Sequence, residues 1–298
     1  MKSVWKAIAS NVSKSSASTD KLQWACAVAQ LQAHRGALLA EPRNSDDRRL
    51  LKFGYRVYSQ ADEDGILHEL FRRIGEGNRT FIELGSGDGL ENNTLFLLVQ
   101  GWRGLWIEGS ARRAAAAAKN MRSCISQDHL RIQHHVVTAA NIDRAIQKLS
   151  PGEDVSLLSI DLDGNDYHVL QAIRSISPRA IVAEYNAKFP PDVHWVMEYN
   201  ETHRWDSTDY FGASLKAIQT LLAGRGYWLV GCNLLGTNAV FVRNDLVSDA
   251  AFCRPFTAEN HYEPPRYYLR AAYQSGFPPG FGSFRSDGTA SVHSKTRE

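Results

Sequence analysis

Four cysteines in 298 residues, Cys26, Cys124, Cys232 and Cys253, are too few and too scattered for a disulfide framework, and no C-x-x-C pair suggests a structural zinc site. They read as buried or free thiols in a reducing compartment. Long apolar runs are also missing, and none is long enough to span a bilayer. Residues 1–20 are polar and serine-rich, without the apolar stretch and small-residue cleavage site of a secretory signal. A cytoplasmic setting is therefore expected. Charge of one sign is lacking too: 34 Lys and Arg against 32 Asp and Glu leave a net +2, without the basic face that a dedicated nucleic-acid binder concentrates. No nucleic-acid partner is expected. What is present, 43% hydrophobic and 22% charged residues, suits a soluble globular enzyme.

The chain divides into three parts. Residues 1–50 form an N-terminal helical extension: Leu22 to Ala40 is rich in Ala, Leu and Gln and predicts a helix, and Glu41 to Arg49, with Pro42, reads as a linker. Such a helix packs on the domain surface or serves as a lid or partner helix. Residues 51–250 form the main domain. Residues 251–298 are a tail rich in Pro, Gly and aromatics, with runs at Pro264 to Tyr268 and Phe277 to Phe281. It is too aromatic for a plain disordered tail, so it is expected to wrap back and cover the active site or a partner subunit. Its end, from Ser283, reads as disordered. A homo-oligomer stays open.

Within the main domain, strands alternate with helices. Strands are expected at Thr80 to Leu84, Gly104 to Glu108, Leu130 to Val137, Val155 to Ile160 and Ala180 to Ala183. Helices are expected at Asn92 to Gln100, Ala111 to Met121, Asn141 to Leu149, which Ser150-Pro151-Gly152 stops, Tyr167 to Ile173 and Ser214 to Ala223. This alternation predicts an α/β fold, a doubly wound and mostly parallel sheet covered on both faces. The last two strands, Tyr227 to Val230 and Ala239 to Val242, are joined without a helix and must run antiparallel. The run Ala114 to Ala118 is a strong helix former and nothing more. His134 and His135 fall in a strand, point to opposite faces, and cannot chelate one metal together.

The first strand runs directly into Gly85-Ser86-Gly87-Asp88-Gly89. Glycines let the backbone turn tightly and approach a ligand, and the following helix aims its N-terminus at it. A dinucleotide fingerprint would want its third glycine one place later, where Leu90 stands. Glu83 and Asp88 would repel a pyrophosphate and suit a ligand with an ammonium and a sulfonium. Glu108 closes the second strand, where an acid accepts hydrogen bonds from both ribose hydroxyls. A glycine turn beside a solvated glutamate is the plainer alternative.

Phe81-Ile-Glu-Leu-Gly-Ser-Gly-Asp-Gly89 with Trp106-Ile-Glu108 resembles the first two motifs of class I S-adenosylmethionine (SAM)-dependent methyltransferases, and the closing antiparallel hairpin resembles their fold. Five further blocks resemble the FkbM-type methyltransferases: Tyr58-Ser-Gln-Ala-Asp-Glu-Asp-Gly65, Glu91-Asn-Asn-Thr94, Ser159-Ile-Asp-Leu-Asp-Gly-Asn-Asp-Tyr167, Ala183-Glu-Tyr-Asn186 and Gly231-Cys-Asn-Leu-Leu235. The resemblance implies a seven-stranded Rossmann-like sheet and SAM as cofactor. It implies that Glu83, Gly85, Ser86, Gly87, Asp88 and Gly89 line the methionine end, that Glu108 holds the ribose, and that Thr138 borders the adenine. Asn92 and Asn93 either bind the cofactor or cap the next helix.

In a doubly wound sheet, ligands sit beyond the C-terminal ends of the strands. Asp161 and Asp163 end the fourth strand, and Glu184 and Asn186 the fifth, so these residues are expected to converge near the transferred methyl. Methyl transfer to a hydroxyl needs positioning and loss of a proton, for which Asp161, Asp163 or His168 is the expected base. Alternatively Asp161, Glu184 and Asn186 hold Mg²⁺, in an arrangement that resembles metal-dependent catechol-type O-methyltransferases. Helix capping or substrate binding is the plainer reading of such acids. Arg204 to Ser214 mixes aromatics, acids and hydroxyls, which suits a sugar or polyol, or simply a packed loop. The expected activity is O-methylation of a small-molecule or carbohydrate acceptor. The alternatives are an NAD-dependent oxidoreductase and a non-catalytic SAM-binding module.

Overall fold

The structure is a computed structural model that describes residues 2–150 and 154–273, with side chains from residue 20 onward. The expected stop at Pro151-Gly152, the run Phe277 to Phe281 and the tail from Ser283 lie outside the described residues.

Seven strands form one sheet: β1 (Thr80–Leu84), β2 (Arg103–Glu108), β3 (Leu130–His134), β4 (Leu157–Ile160), β5 (Ala180–Glu184), β6 (Tyr227–Cys232) and β7 (Asn238–Arg243). Their spatial order is β3-β2-β1-β4-β5-β7-β6. The first five strands pair in parallel, and β7 runs antiparallel between β5 and β6. This is the doubly wound, mostly parallel, Rossmann-like sheet with a closing antiparallel hairpin that the alternation predicted.

Side chains alternate across the strands and feed two apolar layers. On one face Ile82, Leu84, Leu158, Ile160 and Ile181 pack with α6 (Ile142–Leu149), α7 (Asp166–Ala172) and α8 (Leu215–Ala223). On the other face Phe81, Trp106, Leu157 and Val182 pack with α2 (Glu63–Ile74), α3 (Leu95–Val99) and α4 (Ala111–Asn120). A short α5 (Arg122–Ser126) follows α4, and α9 (Ala258–His261) lies near the C-terminal end of the described chain.

Local differences from the sequence reading have physical causes. The first helix, α1 (Lys2–Leu39), begins about twenty residues earlier than expected, because no Gly or Pro interrupts it before Gly36. The segment 41–49 is no free linker. Arg43 donates to Glu263 Oε1 at 2.8 Å, and Arg49 donates to the Asn260 carbonyl at 3.0 Å, so partners some 200 residues away hold it. Helix α2 was not anticipated. Gly65 in its first turn weakens the helical signal, yet a Cβ there would meet the Phe53 carbonyl oxygen at 2.2 Å. The glycine is there for packing.

Two blocks that are far apart in sequence meet at a buried acidic knot. Glu63 Oε1 accepts from Asn233 Nδ2 at 2.7 Å and Asn238 Nδ2 at 3.0 Å, and its Oε2 accepts from the Ala61 N–H. Asp62 Oδ2 accepts from the Leu234 N–H at 3.1 Å. Asp64 Oδ2 gathers the N–H groups of Val57, Tyr58 and Ser59 at 2.6, 2.7 and 2.9 Å. Burial, then the neighbouring Glu63, pushes Asp62 up to about 7, and burial pushes Asp64 up to about 6. Among the described residues, no helix is long and apolar enough to cross a membrane.

Candidate active site

The glycine loop leaves β1 beside the end of β4. Gly85 has φ +86°, and a Cβ on it would lie 1.7 Å from the Asp161 carbonyl oxygen, so no other residue fits. Gly87, at φ +61°, would project a Cβ into open space. It marks the face of the loop turned away from the protein, where a ligand would approach. Two buried polar atoms of the same segment, Ser86 Oγ and Asn92 Oδ1, have no partner within the protein. A buried polar atom without a partner is costly, and a ligand donor or acceptor would relieve that cost.

Glu108, at the end of β2, is nearly buried and faces this loop. Its Oε2 accepts from the Gly87 N–H at 2.8 Å and its Oε1 from the Ser110 N–H at 2.7 Å. A carboxylate offers about four acceptor sites, so two remain for a diol. Thr138 lies beyond β3, two strands from the glycine loop, and is largely buried. Its N–H donates to Asn141 Oδ1, and its carbonyl accepts from the N–H groups of Asn141 and Ile142 at the start of α6.

The acids at the loop are used differently from the expectation. Glu83 lies beneath the loop, fully engaged with it. It accepts from Asn92 Nδ2 at 2.8 Å, the Asn93 N–H at 2.9 Å, and the N–H and hydroxyl of Thr94. Burial pushes its carboxyl up, opposed by these donors. Asp88 turns outward and closes a local turn through the Leu90 N–H at 3.2 Å. Glu83 thus shapes the binding loop from below, while Asp88 points to solvent. Asn92 and Asn93 do not cap α3, whose N-cap is Thr94; Asn93 Nδ2 donates to Ser159 Oγ on β4 at 3.1 Å.

Ile160 pairs with Ala183 in the β4–β5 ladder, so the next residues, Asp161 and Glu184, emerge side by side. Carboxylate oxygens of Asp161, Asp163 and Glu184 all lie within 4.8 Å of one another. The carboxyls of Asp161 and Glu184 are both pushed well above the usual carboxylate range, first by burial and then by the surrounding acids. Glu184 Oε2 is buried without a partner, and Asp163 is exposed at φ +56°.

Two expected members are turned elsewhere. Asn186 is 1% exposed. Its Nδ2 donates to the carbonyls of Asp209 and Phe211, and its Oδ1 accepts from the Lys188 N–H. It organises the loop 186–213, while Asp163 joins Asp161 and Glu184 in the acidic cluster as expected from the strand ends. His168 Nε2 donates to the Met197 carbonyl at 2.7 Å, so that nitrogen carries a proton and is not a free base. Both residues hold a loop that sequence spacing cannot foresee. Asp166, three residues beyond Asp163, ties its own turn through the Leu162 and Gly164 N–H groups.

That loop carries a run of aromatics. Phe189 stacks on Trp195 at 4.4 Å between centroids, and Tyr210 meets Trp195 edge-on at 5.9 Å. Tyr199, Trp205 and Tyr210 expose 41–50% of their surface. Tyr267, in the aromatic run Pro264 to Tyr268 that was expected to wrap back, arrives from the C-terminal segment about half exposed, and its phenol is pushed up first by burial and then by Glu184; this particular pairing is what sequence reasoning missed. No local pattern announces so distant a neighbour.

No known protein-family profile matches the chain, and no curated protein matches it in sequence. Solved structures do overlap it. The N-terminal domain of EvdMO1, determined with SAH bound, covers 72% of this chain and 95% of its own, at 15% identity and a TM-score of 0.41. A SAM-dependent methyltransferase from Clostridium acetobutylicum ATCC 824 covers 59% and 89%, at 11% identity and 0.37. An O-methyltransferase from Bacillus cereus in complex with SAH covers 55% and 67%, at 16% identity and 0.32. Likenesses this loose leave the functional assignment to the chain's own site.

Proposed function

We propose that the protein is a SAM-dependent methyltransferase that methylates an oxygen of a small-molecule or carbohydrate acceptor. One observation carries the reading. A glycine loop with unpartnered Ser86 and Asn92 atoms, faced by Glu108, opens beside the closely set carboxyls of Asp161 and Glu184, on the next two strands. The loop and Glu108 suit the methionine and ribose ends of SAM. The acid pair suits a hydroxyl that must lose its proton.

In this reading the acceptor oxygen attacks the methyl carbon in line with sulfur. The carbon–sulfur bond breaks, SAH leaves neutral, and the hydroxyl proton passes to a carboxylate of the pair. The site's main contribution is alignment. Asp163, exposed at the rim, accepts a hydrogen bond from the acceptor, and the aromatic side chains of 189–210 offer faces for a sugar or ring. Asp161, Asp163 and Glu184 also offer a hard divalent ion such as Mg²⁺ the oxygen donors it prefers, with the unpartnered Glu184 Oε2 among them. Such an ion would lower the acceptor's pKa. The relationship to the FkbM-type enzymes and a cytoplasmic setting belong to this proposal. Its support is the contact between the resembling blocks 58–65 and 231–235, and the three buried thiols Cys124, Cys232 and Cys253.

Calorimetric titration with SAM, with NAD as control and with and without Mg²⁺, tests this reading. Saturable SAM binding and silent NAD are expected. NAD binding with silent SAM would overturn it and make Glu108 a dinucleotide ribose ligand. A proton released on adding Mg²⁺ would identify the acid trio as the metal's ligands.

A further inference from the structure

We propose that the cofactor loop is held in its binding shape from outside the doubly wound core, by an arginine clasp in which Glu91 receives both Arg56 and Arg270, so that the C-terminal segment 263–273 is part of the cofactor site. The inference rests on the SAM reading and adds to it a set of positioning residues.

The loop has an inner and an outer end. Inside, Glu83 fixes residues 92–94. Outside, residues 88–91 belong to no strand or helix. Two arginines from other parts of the chain reach this stretch, one for each oxygen of Glu91. Arg56 Nη2 lies 3.4 Å from Glu91 Oε1, and Arg270 Nη2 contacts Oε2. Arg56 is set in place before it meets Glu91, because its Nε donates to the Ser59 carbonyl at 2.6 Å and its Nη1 to the Tyr273 carbonyl at 3.2 Å. Its side chain is only 14% exposed.

Arg270 stands on a segment anchored independently of the clasp. Leu269 is fully buried among Leu51, Leu234 and Leu235. The Arg266 N–H donates to the Leu235 carbonyl at 2.8 Å. Gly236, at φ +72°, lets the segment ride on the β6–β7 turn, since a Cβ there would meet the Pro264 carbonyl oxygen at 2.4 Å. A rigid support outside the core thus reaches the stretch that adjoins Asn92 and its unpartnered Oδ1.

An isolated exposed ion pair contributes little to global stability. A pair that narrows the conformations of a ligand loop acts on affinity instead, by reducing what must be ordered on binding. The clasp therefore predicts an effect on ligand affinity with almost none on the melting of the ligand-free protein.

The test is calorimetric titration of the full chain with SAH, beside apo melting curves, for wild type, Glu91→Ala, Arg270→Ala, Arg270→Lys and the double variant Glu91→Ala/Arg270→Ala. Glu91→Ala is expected to weaken SAH about tenfold, because it releases both arginines, and Arg270→Ala about threefold. The double variant should match Glu91→Ala, since both changes act through one contact. Arg270→Lys should recover most of the loss, and every apo melting temperature should stay within about 2 °C of wild type. SAH binding by wild type that neither single variant alters, or losses that multiply in the double variant, would overturn the clasp alone. Losses that appear only with a lowered apo melting temperature would reduce it to ordinary structural support. A wild type silent to SAH would remove the SAM reading and the clasp with it.

Discussion

Two groups of acids in this protein, one buried and one half-buried, look alike in composition and differ in what surrounds them. In the knot at Asp62, Glu63 and Asp64, each side chain receives donors from the chain, including the N–H groups of Val57, Tyr58, Ser59, Ala61 and Leu234 and the amides of Asn233 and Asn238. At the ends of β4 and β5, no N–H donor among the described residues reaches the carboxyl of Asp161 or Glu184, which lie within 4.8 Å of each other; one buried oxygen is unpartnered in Glu184, as in Asp62 and Asp64. Burial raises Asp62 and Asp64 as it raises Asp161 and Glu184, so an elevated carboxyl alone does not mark a site. The supply of donors does. Acids that receive donors from the chain hold distant segments together, and acids that face only other acids are open to a ligand.

The largest effect that would break this contrast is on turnover. Asp161→Asn or Glu184→Gln should lower methyl transfer from labelled SAM by about a hundredfold or more, on whichever sugar, polyol or phenol the wild type accepts, while SAH still binds in calorimetry. Full turnover in either variant would place the chemistry elsewhere. The knot should answer the opposite way. Glu63→Ala leaves two buried amides and a backbone N–H without their acceptor and should cost about 3 kcal/mol in denaturant unfolding. SAH affinity of the folded fraction should change little. A knot variant that kept its stability and lost SAH would reverse the assignment.

The smallest effect concerns pH. Asp62 is raised in the folded state to about 7, so the folded protein binds that proton more tightly than the unfolded chain does. Its contribution is fully present below the unfolded value near 4. It is lost as pH rises through about 7. Asp62→Asn keeps an acceptor for the Leu234 N–H and cannot ionise. Its melting temperature relative to wild type should therefore improve between pH 5 and pH 8, by about 3–6 °C. A difference independent of pH would mean that Asp62 is not buried as described.

The same contrast explains what could be read from the sequence. The strands, their alternation with helices, the glycine loop and Glu108 follow from local patterns, because period, turn chemistry and strand-end position are all local. Convergence of Asp161 and Glu184 followed from strand order. What could not be read was which end of a polar side chain the fold would use. Glu83 was expected to face the ligand and instead holds Asn92 to Thr94 from beneath. Asn186 and His168 were expected at the chemistry and instead secure the loop 186–213 through backbone carbonyls. Tyr267, Arg270 and the bonds that tie down 41–49 depend on contacts across most of the chain, which no window of sequence contains.

The strand order has a consequence for how the chain is made. The last strand to leave the ribosome, β7, is an interior strand, seated between β5 and β6. Until residues 238–243 emerge, the apolar edge of β5 has no neighbour on that side, and β6 is complete without a place to dock. The nascent protein therefore carries an open, sticky sheet edge from the completion of β5 at Glu184 until β7 is made, and a chain interrupted between the two would present that edge for good.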